Sequence, residues 1–216
     1  MKLNVKGILL DLDGTVVDSR EAYLEAAKAA FAATGRKIVD TKIAMEIPRR
    51  IEQNLSIDDL IEGIETQKFL DAYLHVYCQA ASTKAKPMSN VAETLKKLSE
   101  KTKIALITMR YVPAERVTRE LEEFGLDNYF LFVTTALDAN SPKPSPEALI
   151  ESARRLGIPI SECAVVGDSV VDVRAGKYAG MRTVSVLSGI FTKEELEKEN
   201  PDLILESINE LPSFLE

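Results

Sequence analysis

Two aspartates one residue apart, Asp11 and Asp13, stand at the end of the apolar run Ile8-Leu9-Leu10 and lead into a Gly14-Thr15 turn. The run reads as a buried strand. Side chains alternate along a strand, so the spacing predicts that the two acids share one side above its carboxyl end. Open α/β sheets gather ligands at that end. Two carboxylates so close repel unless a cation or a shared proton relieves them. A hard cation such as Mg²⁺ suits oxygen ligands and a phosphate-bearing substrate.

Other residues follow with the same logic. Thr108 closes the apolar run Ile104-Ala105-Leu106-Ile107. Lys143 lies between Pro142 and Pro144 in the loop after a third strand, Leu131 to Thr134. Asp168 follows the strand Ala164 to Gly167, and Asp172 comes one helical turn later. In a parallel sheet these strand ends point the same way and converge on one crevice. Singly, each has an ordinary explanation: Asp168 as a helix cap, Thr108 as a strand terminus, Lys143 as a solvated loop lysine, Asp172 as a solvent-facing acid. Their joint occurrence in this order points to a site. Arg110 has two open readings, a bidentate ligand for a phosphate or carboxylate and a surface arginine. Arg49 and Arg50 read as a solvated basic edge or as ligands for an anionic substrate. His75, the single histidine, falls in the helical stripe of Phe69, Tyr73, Val76 and Tyr77, which reads as packing.

The elements that must position these groups alternate along most of the chain. Helices are expected over Val91 to Lys101, from Pro113 to Phe124, from Ser145-Pro146 to about Gly157, and from Asp168 to about Ala179. Thr183 to Val186 and Leu203 to Leu205 read as strands. Thr192 to Glu195 fits a capping box, and a last helix is expected over Asn209 to Phe214. Alternating β and α units imply an α/β fold, a three-layer, doubly wound parallel sheet. The stretch between the first strand and the rest reads as wholly helical. It includes the helix formers of Tyr23 to Phe31, a stop at Gly35, and a short helix capped at Ser56-Ile57-Asp58-Asp59. The expected organisation is therefore an α/β core of residues 1–17 and 85–216, with a small helical cap of residues 18–84 inserted. Two hinges beside Asp11 and Asp13 would let such a cap open and close.

Composition bounds the function. The 216-residue chain can bury a sizeable core. Its net charge of −7, with no Lys/Arg block, argues against nucleic acid as a partner. No apolar run approaches a membrane span and no signal-peptide pattern opens the chain, so a cytoplasmic location is expected, with no membrane partner. Cys78 and Cys163 read as two reduced, buried thiols.

Asp11-Leu12-Asp13-Gly14-Thr15 resembles the first motif of the haloacid dehalogenase superfamily of hydrolases. Thr108 is similar to its second motif, Lys143 to its third, and Gly167-Asp168-Ser169-Val170-Val171-Asp172 to its fourth. The resemblance covers nearly the whole chain, including a helical cap after the first motif as in the phosphoglycolate phosphatase-like branch. It implies a Rossmann-like core and phosphoryl transfer to a carboxylate, with Asp11 as nucleophile and Asp13 as acid, then base. Asp11, Asp13 (through its carbonyl) and Asp168 would hold Mg²⁺, and Asp172 would support them. Thr108, Met109, Arg110 and Lys143 would bind the phosphate.

An acid at position 13 favours phosphate over halide displacement, because a departing halide needs no proton. Phosphonate cleavage would require a cap amine. Lys28, Lys37, Lys42 and Lys68 are available by type and read more simply as surface residues. The implied function is a Mg²⁺-dependent phosphatase for a small phosphorylated metabolite, such as phosphoglycolate, acting as a monomer or homodimer. The alternatives are a phosphomutase of the β-phosphoglucomutase type and a non-catalytic metabolite-binding protein.

Overall fold

A computed structural model describes residues 2–36 and 40–216. Two compact units emerge: one combines the chain up to Val17 with Pro87–Glu216, and the other is Asp18–Lys86. The division returns at Pro87, two residues beyond the expected Ala85.

The larger unit is built on a parallel sheet. Its strands are β1 (Gly7–Leu10), β4 (Lys103–Ile107), β5 (Val133–Thr134), β6 (Cys163–Gly167), β7 (Arg182–Val186) and β8 (Leu203–Leu205). The short ladder of β2 (Val17–Asp18) with β3 (Lys86–Pro87) lies where the chain passes from one unit to the other. The main sheet has the order β5-β4-β1-β6-β7-β8. From β1 the chain first builds outward through β4 and β5, then returns to the other flank with β6, β7 and β8. The order therefore reverses beside β1, the place where open α/β sheets bind their ligands.

All four residues of β1 are buried, as are those of β6, which fits a sheet covered on both faces. Helices α4 (Val91–Ser99), α5 (Ala114–Glu123), α6 (Glu147–Leu156), α7 (Val170–Ala179) and α8 (Lys193–Lys198) supply the cover. In α4 the buried residues Val91, Thr94, Leu95 and Leu98 fall on one helical face. Register then fixes the site. Leu10 pairs with Leu106 on one side and Val166 on the other, which brings Asp11, Thr108 and Asp168 to neighbouring strand ends.

The smaller unit holds α1 (Arg20–Ala33), α2 (Thr41–Glu52) and α3 (Thr66–Lys84). Ala26, Ala27 and Ala30 let the helices approach closely, and Phe31, Phe69 and Tyr73 fill the space between them. Phe31 and Phe69 meet edge to face at 4.9 Å.

Several expectations are corrected. Ser56-Ile57-Asp58-Asp59 forms turns and no helix: the Ser56 hydroxyl and Asp58 carboxylate bond to each other, and Asp58 also accepts from Thr66. These local side-chain bonds compete with the helical backbone. His75 is exposed beside Gln79, outside the packed stripe. Cys78 is only half-buried, whereas Cys163 is buried. The last helix is a 3₁₀ segment, Ile208–Phe214, with Pro212 inside it. Lys28, Lys42 and Lys68, by contrast, are exposed as the surface reading expects, and Lys37 lies outside the described residues. Arg49 and Arg50 both donate to Glu46, and Arg50 also pairs with Asp59.

Candidate active site

The apolar run of β1 stops at Leu10, and the backbone folds at once into a tight turn. The amides of Val16 and Val17 both donate to the carbonyl of Leu12. The turn needs Gly14, which has φ +80° and on which a Cβ would lie 2.6 Å from the Asp168 carboxylate. It also separates the two acids: Asp11 and Asp13 face different cations.

Asp11 faces Lys143. The ammonium donates to Asp11 Oδ1 at 2.7 Å, to Asp172 Oδ1 at 2.5 Å and to the carbonyl of Ile107 at 3.1 Å. Neither Lys143 nor Asp172 is solvated: they are 4% and 2% exposed, so the loop-lysine and solvent-facing readings are corrected. The Lys143 ammonium meets buried carboxylates that need a counter-charge. Asp172 is fixed from its other side. Its Oδ2 accepts from the amide of Ser169, while Ser169 Oγ accepts from the amide of Val171, in a capping box that starts α7.

Asp168 stands beside them. Its Oδ2 accepts from the amide of Ile190 at 3.3 Å. Gly189 makes room for it, since a Cβ there would fall 1.7 Å from that oxygen. Oxygens of Asp11, Asp168 and Asp172 all lie within 4.8 Å of one another, and all three residues are buried. The Asp11 carboxyl is held at about 7: burial raises it most, Lys143 pulls it down, and Asp172 and Asp13 add to the rise. Burial works against the Lys143 charge, but Asp11 and Asp172 outweigh it and hold the ammonium above its usual range. A cluster of hard oxygen donors with too little positive charge fits a divalent cation such as Mg²⁺.

Asp13 faces Arg110. The guanidinium grips both of its oxygens, Nε to Oδ2 at 2.8 Å and Nη2 to Oδ1 at 2.7 Å. Nη1 donates to Glu120 Oε2 at 2.5 Å. Arg110 is 4% exposed, which rules out the surface reading. Its amide donates to Thr108 Oγ1 at 3.2 Å, tying this segment to the end of β4. Met109, between them, is half-buried.

Sequence reasoning passed over Glu120 and Gly189. Glu120 had a signal: it sits three residues after Val117 and next to Leu121, on the face of α5 that packs inward. Burial raises its carboxyl, against the pull of Arg110. Gly189 had none beyond the turn-forming Ser188-Gly189 pair.

Known proteins resemble this chain throughout its length. Residues 8–186 match the family model described as haloacid dehalogenase-like hydrolase. A phosphoglycolate phosphatase of Escherichia coli K12 is 30% identical, over 96% of this chain and 91% of its own. A pyrophosphatase PpaX of Anoxybacillus flavithermus is 29% identical, over 99% and 98%. Among solved structures, a haloacid dehalogenase-like family hydrolase of Streptococcus pneumoniae superposes with TM-score 0.83 at 16% identity, covering 98% of each chain. A hydrolase of Pseudomonas syringae gives 0.73 at 24%, covering 96% of each. With the family model matched over most of the chain and a 30% identical relative covered almost end to end, the chain belongs to the haloacid dehalogenase-like hydrolases.

Proposed function

We propose that this hydrolase is a Mg²⁺-dependent phosphatase that acts on a small phosphorylated metabolite through a phosphoryl group carried on Asp11. The observation that carries the reading is the buried Asp11–Lys143–Asp172 contact beside Asp168. It sets the Asp11 carboxylate next to a fixed ammonium and a cluster of oxygen donors, the surroundings a carboxylate nucleophile would need.

The residues divide the reaction into two displacements. Asp11 attacks phosphorus, and the bond to the leaving oxygen breaks as Asp13, which takes up a proton from solvent as the anionic substrate settles beside it, gives that proton to the leaving oxygen. Asp13, now a carboxylate, takes a proton from water; the water oxygen attacks phosphorus, frees Asp11 and releases inorganic phosphate. Lys143 offsets charge on the nucleophile and phosphoryl group in a site shielded from water. The Thr108 hydroxyl would hold a phosphoryl oxygen. Asp11 and Asp168, with the carbonyl of Asp13, would hold Mg²⁺, and Asp172 would orient Lys143. Bound there, the cation supplies positive charge that keeps Asp11 ionised and stabilises the transferring oxygens. The helical unit, residues 18–86, would act as the cap that selects the substrate. Phosphoglycolate and pyrophosphate head the assay panel because relatives carry those names.

The test is a panel of phosphate esters and pyrophosphate, assayed with Mg²⁺ and with chelator, on the parent and on Asp11→Asn. The expected result is metal-dependent phosphate release that falls at least about 10³-fold in the variant. Release at the parental rate from Asp11→Asn, or no metal-dependent turnover of any compound, defeats the reading. Isomerisation of a sugar phosphate without phosphate release would turn it to a mutase.

A further inference from the structure

The pairing of Asp13 with Arg110 and Glu120 has no part in the reaction scheme above. Three side chains from three elements meet there. Asp13 comes from the turn after β1, Arg110 from the segment after β4, and Glu120 from the inward face of α5. Their side chains are 10%, 4% and 1% exposed. Arg110 presents Nε and Nη2 to the two oxygens of Asp13, a planar fork on a planar carboxylate. The opposite end of the guanidinium rests on Glu120.

This arrangement bears on the two readings of Arg110. A phosphoryl group gripped by the same fork would have to displace Asp13 from it. The guanidinium is instead anchored at both ends by carboxylates of its own chain. A buried arginine with two carboxylate partners has little freedom to swing, because each departure strands a buried charge. Asp13 therefore inherits a fixed plane. It sits on a turn, and a turn residue needs such support if its oxygen is to meet a leaving group in a set direction.

Resting on the phosphatase reading, we infer that Arg110, braced by Glu120, is a positioning residue that orients the Asp13 carboxyl toward the leaving-group oxygen. It does not bind the substrate phosphate. The chemical consequence is selective. Proton donation matters for an alkyl phosphate, whose alkoxide leaves poorly. It matters little for p-nitrophenyl phosphate, whose phenolate leaves unaided.

The experiment compares kcat/KM for an alkyl phosphate and for p-nitrophenyl phosphate, together with inhibition by inorganic phosphate, at saturating Mg²⁺. The variants are Arg110→Met, Arg110→Lys, Glu120→Gln and the double variant Arg110→Met/Glu120→Leu. The double variant removes the buried charge that Arg110→Met would strand, so the comparison survives if the single variant fails to fold. In Arg110→Met and in the double variant, kcat/KM for the alkyl ester is expected to fall roughly 10- to 100-fold and that for the aryl ester by less than about 3-fold, with phosphate inhibition unchanged. Arg110→Lys, which keeps the charge without the fork, and Glu120→Gln, which keeps an acceptor for the brace, should show the same selectivity at smaller size. Equal losses on both esters, or weaker inhibition by phosphate with the ester ratio intact, overturn the inference in favour of a phosphate ligand. A parent with no metal-dependent turnover of any ester in the panel would instead remove the phosphatase reading and this role with it.

Discussion

Replacing Lys143 with methionine should unsettle the metal-free protein in a way that depends on pH. The side chain is 2% exposed and contacts two buried carboxylates at 2.7 and 2.5 Å. At an effective dielectric constant near 20, each contact is worth about 6 kcal/mol of attraction. Removing the ammonium also removes its own burial cost, which returns several kcal/mol. Losing one partner of such a buried pair typically costs about 3–5 kcal/mol. For a chain of this size that corresponds to a loss of roughly 10 °C in Tm.

The sign of the pH effect follows from Asp11, held at about 7 by burial against the pull of Lys143. A carboxyl raised in the folded state takes a proton that the unfolded chain takes up only near pH 4. Stability from that group therefore increases as pH falls from 7 toward 4. At pH 8 the variant leaves the buried Asp11 carboxylate without its ammonium; at pH 5.5 Asp11 is neutral and that part of the loss disappears. Melting curves in chelator at both pH values measure this, and Mg²⁺ at pH 8 should restore part of the lost Tm. A penalty below about 2 °C at pH 8 would refute the argument. So would a penalty equal at the two pH values.

Three further outcomes follow from the geometry. Gly189→Ala puts a methyl where Asp168 Oδ2 now lies, 1.7 Å away; calorimetric titration should show divalent-cation affinity falling about 10- to 100-fold, and an unchanged Kd would contradict it. Burial, with help from Glu162, pushes the Cys163 thiol up to about 11, so a thiol reagent at pH 8 should modify Cys78 first and reach Cys163 only on unfolding; equal rates in the native protein would count against this. Phe69→Ala empties the aromatic centre of the helical unit at a cost of about 3–5 kcal/mol, and should speed proteolysis within residues 18–86 by at least about 100-fold; a rate within about threefold of the parent would show that the rings contribute little.

Legibility in the sequence varied with the range of the interaction. The strand ending at Asp11, the capping box at Thr192 to Glu195 and the helix starting after Pro113 depend on neighbours a few residues away, and all three were readable. The Ser56 to Asp59 turn was misread because a capping pattern and a side-chain-bonded turn use the same residue types. Burial of Lys143 was invisible for another reason. Its partners are 132 and 29 residues away, and a Pro-rich flank by itself indicates a solvated loop. Arg110 meets Asp13 across 97 residues. A single sequence shows which residue types are present, but such pairings exist only once the sheet order is set.

The site's logic lies in how one short turn assigns two similar acids to different surroundings. Asp11 shares a buried cluster of three carboxylates, two of which hold one ammonium, an excess of negative charge that suits a divalent cation. Asp13 is two residues on, yet its oxygens meet a guanidinium that is itself braced from behind. In the mechanism proposed above, Asp11 must keep its lone pair while it approaches an anion, and Asp13 must hold one orientation through both half-reactions. Had the strand simply continued past Leu10, both acids would have faced the same charges and competed for the same role. The turn at Gly14 prevents this, which makes the backbone at that glycine as much a part of the chemistry as the carboxylates it separates.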